Sequence, residues 1–130
     1  MSPKKYPVMI VEDERISRRA LTTLLEDSGY TIQAFASAEE LLAEVAHGLR
    51  PEMVIADLDL PGKSGLQMLE ELERQNPDLR SVLLTAAQAD EIDAFCRNHA
   101  CKYLRKPFNL PHLLSLLRNH RRSQNSRSSS

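Results

Sequence analysis

Met53-Val54-Ile55-Ala56-Asp57-Leu58-Asp59-Leu60-Pro61-Gly62-Lys63-Ser64-Gly65 is the stretch that decides how this chain folds. Its four leading apolar residues read as a strand buried on both faces, running from Glu52 to Asp57. Pro61, Gly62 and Gly65 then supply a turn. Leu66, Leu69 and Leu72 follow at helical spacing until Asn76-Pro77 stops the helix. The segment is therefore one β-α unit, with an aspartate at the end of its strand.

The same unit recurs on both sides. Tyr6 to Val11 reads as a first strand, followed by Ile16, Ala20, Leu21, Leu24 and Leu25 at helical spacing as far as Gly29. Tyr30 to Phe35 is a second strand. Ser37-Ala38-Glu39-Glu40 has the form of a capping box, opening a helix that ends near His47-Gly48, where glycine suits a left-handed cap. Leu79 to Thr85 is the fourth strand, and Ala87 to Asn98 a helix with Ile92, Phe95 and Cys96 on one face. Cys101 to Leu104 is a short fifth strand, and Asn109 caps a last helix bearing Leu113, Leu114, Leu116 and Leu117. Five β-α units predict a doubly wound α/β fold, a three-layer (βα)5 sandwich around a five-stranded parallel sheet. Right-handed crossovers leave few topologies, and the flavodoxin-like strand order 2-1-3-4-5 is the common one at this size.

Length and composition agree with one domain. The 130 residues are 42% hydrophobic, and no uninterrupted apolar run exceeds four residues, so no membrane-spanning helix is expected. The N-terminus lacks the apolar segment of a secretory signal, and two cysteines make no disulfide framework; the expected location is cytoplasmic. The net charge of −1 conceals an asymmetry. Residues 118–130 hold four arginines and no acid, which leaves residues 1–117 with a formal charge of −5. The reading is a folded domain over 1–120 and a disordered basic, Ser-rich tail or the start of a linker over 121–130. An acidic folded unit is not expected to bind nucleic acid directly, nor a membrane.

In open α/β sheets the functional site lies beyond the carboxyl ends of the strands, where strand order reverses. Those positions hold Glu12-Asp13-Glu14 after strand 1, Asp57 after strand 3, Thr85 after strand 4 and Lys106-Pro107 after strand 5. Neighbouring strands lie about 4.8 Å apart, which puts Asp57 between an acidic pair and a hydroxyl, with a lysine reaching in from one strand further. Two carboxylates about 4 Å apart repel by on the order of 4 kcal/mol at an effective dielectric near 20. Such a cluster calls for a divalent cation, and a few oxygen ligands favour Mg2+ with several waters retained. A carboxylate beside Mg2+, a lysine and a hydroxyl is equipped to accept a phosphoryl group as in-line nucleophile. Taken singly, each of these residues also has a plain structural role as a turn or strand-end residue; the combination at four strand ends is what carries the chemistry.

Val11-Glu12-Asp13-Glu14, Asp57 to Gly65, Leu84-Thr85-Ala86 and Tyr103-Leu104-Arg105-Lys106-Pro107-Phe108 together resemble the receiver domains of two-component response regulators (CheY-like), over residues 6 to about 120. The resemblance implies that Asp57 is the phosphoacceptor, with a phosphohistidine on a sensor histidine kinase or phosphotransfer protein as donor. It implies that Asp13, Asp57 and the backbone carbonyl of Asp59 ligate Mg2+, with Glu12 acting through water. Thr85 and Lys106 would contact the phosphoryl oxygens, and Thr85 and Tyr103 would form the switch that alters the face of the fourth helix, fifth strand and fifth helix. That face is also a candidate homodimer surface. The family's Lys-Pro bond is cis. The implied function is regulatory: the domain catalyses only its own phosphorylation and dephosphorylation, and acts on an output domain beyond residue 130 or on a separate target.

Departures from the family pattern are His99-Ala100-Cys101 where Gly-Ala-Asp is frequent, and Asp59 and Ala87 at positions that tune phosphate lifetime. His99 could then take a left-handed backbone. Cys96, His99 and Cys101 offer three soft donors without a fourth, so two small buried thiols are the better account. Arg18 and Arg19 lie on the first helix, on a face that docks kinases in this family or is simply solvated. A phosphatase of haloacid-dehalogenase type also uses an Asp-x-Asp, here Asp57-Leu58-Asp59, but on its first strand and in a larger chain. A flavin module on the same fold needs a phosphate loop after strand 1, where Glu12-Asp13-Glu14 repels phosphate.

Overall fold

The computed structural model describes residues 7–58, 65–86, 90–98 and 101–129. Strands and helices alternate throughout: β1 (Pro7–Val11), α1 (Arg15–Asp27), β2 (Thr31–Phe35), α2 (Ala38–Ala46), β3 (Met53–Asp57), α3 (Gly65–Gln75), β4 (Arg80–Thr85), α4 (Asp90–Asn98), β5 (Cys101–Arg105) and α5 (Leu110–Ser129). All neighbouring strands pair in parallel, in the order β2-β1-β3-β4-β5. This is the doubly wound sheet that the alternation of apolar runs and helical spacing predicts.

Alternation along the strands divides the core into two layers. Met9, Val11, Val54, Ala56 and Leu83 face one side and pack with Leu41 of α2, Met68, Leu69 and Leu72 of α3 and Ile92 of α4. Val8, Ile10, Met53, Ile55, Val82 and Leu84 face the other and pack with Leu21 and Leu25 of α1 and Leu113 and Leu117 of α5. β3 and β4 are buried along their whole length: their apolar stretches Met53 to Ala56 and Val82 to Leu84 suit a strand covered on both faces, and the polar residues Asp57, Arg80, Ser81 and Thr85 are buried with them. β2 is the edge strand and is half exposed.

Local signals are realised at the helix ends. The Ser37 hydroxyl accepts from the Glu40 N–H at 3.1 Å, and the Glu40 carboxylate accepts in return from Ala36 N–H at 2.9 Å. Gly48, just past α2, has φ +110°. Asn76 stops α3 with both ends of its amide, donating to Pro51 O and accepting from Asp78 N–H. Asn109 accepts from the His112 N–H at the start of α5.

One feature departs from the sequence reading. Leu21 and Leu25 of α1 are buried, but Ile16 is 80% exposed and Leu24 45% exposed, with Ala20 also in solvent. α1 leans on β1 and the half-exposed edge strand β2, so a stripe narrower than the periodicity predicts meets the sheet. α5 is helical as far as Ser129. Asp59, the Pro61-Gly62 turn, Ala87, His99 and Ala100 lie outside the described residues.

Candidate functional site

The site is assembled by extending the parallel ladder one residue past the strands. Val11 pairs with Ala56, so Glu12 stands level with Asp57. The Glu12 N–H donates to Phe35 O at 3.0 Å, the Leu58 N–H to Leu84 O at 2.9 Å, and the Lys106 N–H to Thr85 O at 2.7 Å. Backbone hydrogen bonds thus fix the segments that leave β1, β3 and β5 before their side chains interact. The Lys106–Pro107 peptide is cis, as the resemblance implies.

Around Asp57 the side chains converge. Asp57 is 4% exposed and Glu12 5%, whereas Asp13 is open to solvent. Oxygens of Glu12, Asp13 and Asp57 all lie within 4.8 Å of one another. The Lys106 ammonium donates to Asp57 Oδ2 at 2.6 Å, from a side chain about one-third exposed. Burial pushes the Glu12 carboxyl above its ordinary range; the nearby Asp57 and Asp13 carboxylates push the same way, while the Glu14 N–H, donating at 3.1 Å, and Lys106 oppose them. Lys106 therefore faces three carboxyl groups. The cluster offers only hard oxygen donors, with one open side at Asp13, and this set fits a small divalent cation that keeps several waters, as Mg2+ does.

Of the remaining expected residues, Thr85 ends β4 and is fully buried, with its carbonyl tied to Lys106. Tyr103 lies on β5 opposite Leu83, half-buried against the α2–α3–α4 core layer. The Asp93 carboxylate on α4 holds its phenol above the ordinary value, with burial adding to the rise. The geometry thus brings Glu12, Asp13, Asp57 and Lys106 together, sets Thr85 beside them through the backbone, and leaves Tyr103 near Asp93 of α4. Asp59 lies outside the described residues.

One residue has a role that the sequence reading missed. Arg18, read there only as part of an outward face of α1, donates from Nη1 to the carbonyl oxygens of Glu12 at 2.9 Å and Asp13 at 3.4 Å. It ties the acidic loop back onto the helix that follows. The signal that could have found it is a long cation one turn into a helix that starts directly after an acidic pair. Close packing also constrains Gly65, where a Cβ would lie 3.1 Å from the carbonyl oxygen of Asp57.

Known proteins share both the sequence and the shape. The response regulator receiver domain family matches residues 8–118. Response regulator protein FleR of Pseudomonas aeruginosa is 37% identical over 114 residues, covering 87% of this chain and 24% of FleR. Two-component response regulator PhoP of the same organism is 33% identical over 108 residues, covering 82% of this chain and 47% of PhoP. The chain therefore spans between a quarter and a half of the length of these relatives. The structure of response regulator protein TrrA from Thermotoga maritima, in complex with Mg2+-BeF, superposes with a TM-score of 0.77 at 29% identity, over 88% of this chain and 98% of that one. A match that begins at the second residue of β1 and ends in α5, with the strand order in agreement, places this chain in the response regulator receiver domain family, the regulatory rather than classically enzymatic part of two-component systems.

Proposed function

We propose that Asp57 accepts a phosphoryl group from a phosphohistidine on a sensor histidine kinase or phosphotransfer protein, and that the domain relays the change to an output domain beyond residue 130 or to a separate target. The observation that carries this is the ion pair of a buried Asp57 with Lys106 at 2.6 Å, set among two further carboxyl groups. An Asp57 carboxylate oxygen attacks phosphorus in line as the P–N bond to histidine breaks, and the histidine leaves as the neutral ring on taking up a proton. Lys106 is already placed to follow the charge from the carboxylate to the phosphoryl oxygens, and the Thr85 hydroxyl supplies a donor for one of them. Asp13, Asp57 and the Asp59 carbonyl would hold Mg2+, with Glu12 through water; the metal supplies positive charge for the transferring oxygens. The 29% identical TrrA, described with Mg2+-BeF, supports this assignment.

Phosphorylation adds up to about two negative charges at the end of β3. A donor drawn toward those charges at Thr85 leaves room on the inner side of β5, and Tyr103 exchanges its Asp93 partner for that room. The face of α4, β5 and α5 then differs between the two states, which is the requirement for a switch and for a dimer surface that responds to it. The chain catalyses its own labelling and the loss of the label, and works in the cytoplasm, where kinases of this class present their phosphohistidine. Labelling by acetyl phosphate in millimolar Mg2+ tests the reading. One phosphoryl group per chain, alkali-labile and absent from Asp57→Asn, is expected; a label surviving in that variant refutes the assignment.

A further inference from the structure

At the other end of β5 from the acidic cluster, two thiols meet. Cys96 lies in the last turn of α4 and Cys101 opens β5, and their sulfurs are 2.7 Å apart. Both are free thiols; Cys101 is 7% exposed, and Cys96 is only partly covered. We propose that Cys96 and Cys101 are a redox pair, closed by a peroxide to a disulfide that ties α4 to β5. Nothing in the phosphoryl chemistry uses either residue.

The geometry assigns different roles to the two sulfurs. Cys96 is the thiol a solvent-borne peroxide reaches, and Cys101 is the buried partner that waits beside it. Charge agrees with exposure: the hydrogen bond from Cys101 draws the Cys96 thiol below its ordinary value against burial, Asp93 and Glu73, and the same contact with burial drives Cys101 upward. Lys102 also favours a thiolate at Cys96, and Ser81, the register partner of Cys101, faces the second sulfur.

The steps balance as follows. The Cys96 thiolate attacks one peroxide oxygen, an S–O bond forms as the O–O bond breaks, and the departing oxygen takes up a proton as water. The sulfur is oxidised by two electrons and the peroxide is reduced. Cys101 Sγ then attacks the Cys96 sulfur; the S–S bond forms, the S–O bond breaks, and the thiol proton leaves with the hydroxide as a second water. A dithiol reductant reverses the closure by exchange. A transient bond of this kind is the form in which disulfides occur in reducing compartments.

The test uses the whole reduced chain and hydrogen peroxide at one equivalent. Both free thiols are expected to disappear together, with an intact mass two hydrogens lower and a monomer on a non-reducing gel. Trypsin cuts after Arg80, Arg97 and Lys102, so peptides 81–97 and 98–102 should stay joined until reduced. Cys96→Ser should slow peroxide-driven thiol loss by about tenfold or more, because the remaining thiol is buried. Cys101→Ser should stop at a sulfenic acid on Cys96 that a cyclic 1,3-dione traps. A bond formed only between chains, Cys96 advancing to sulfinic acid while Cys101 stays free, or both thiols surviving as slowly as in urea-unfolded protein would each overturn the proposal.

Discussion

Replacing Lys106 by methionine removes the ammonium that pairs with Asp57 and keeps most of the volume of the stem. At the observed 2.6 Å, an effective dielectric near 20 gives an attraction on the order of 6 kcal/mol. Most of that is offset by the cost of taking the two groups out of water, and Lys106 is about one-third exposed, so solvent screens the pair further. A fully buried pair broken on one side costs roughly 3–5 kcal/mol and an exposed pair under about 1 kcal/mol. The position between those limits puts the loss for Lys106→Met at about 2 kcal/mol without divalent metal. With an m-value near 2 kcal/mol per molar, the urea midpoint should fall by about 1 M. Asp57 then shares its site with Glu12 and Asp13 without the Lys106 charge, so added Mg2+ should stabilise the variant more than the parent. Urea unfolding of both proteins, with and without 10 mM Mg2+, measures this. An equal loss with and without metal, or no loss in its absence, refutes the view that Lys106 and a divalent cation balance the same carboxylates.

Glu12→Gln should raise the stability of the metal-free domain at pH 7 by on the order of 1 kcal/mol. The sign follows from the raised Glu12 carboxyl: ionising it in the folded state costs more than in the unfolded chain, so its destabilisation is absent below the ordinary value of 4.5 and grows as pH rises through the higher folded value. Thermal melts of the two proteins should converge below pH 4.5 and separate above it; a constant difference across that range contradicts the assignment. Gly65→Ala places a methyl against the Asp57 carbonyl oxygen at 3.1 Å, which should cost about 1–2 kcal/mol and slow acetyl phosphate labelling of Asp57. Unchanged labelling at reduced stability would show that the displacement does not reach the carboxylate.

The sheet was legible because its signals are local and mutually consistent. The apolar run Met53 to Ala56 admits a strand buried on both sides, and right-handed crossovers leave few strand orders for five such units, of which 2-1-3-4-5 is the common one. Once that order stands, Glu12, Asp13, Asp57 and Lys106 must share one edge, although up to 94 positions separate them. Side-chain reach was not legible. Arg18 folds back to Glu12 and Asp13 because of the angle at which the chain turns from β1 into α1, and no periodicity encodes that angle. Ile16 and Leu24 fit the helical spacing yet stand in solvent, since spacing names a face without saying how wide a surface will meet it. The expectation of two small buried thiols holds for Cys101 but not for Cys96, which is only partly covered, and their contact depends on how α4 hands over to β5.

β5 is the outermost strand of the sheet on its side, bonded to β4 alone. It begins at the thiol pair, and the residue after it is the lysine of the acidic cluster. At about 3.3 Å per residue those two points are only some 16 Å apart, with Tyr103 at the midpoint. A strand bonded along one margin can tilt slightly while its ladder to β4 stays intact. Oxidation at its foot and phosphorylation at its head would then act on the same lever, and the tyrosine at its middle would report their sum.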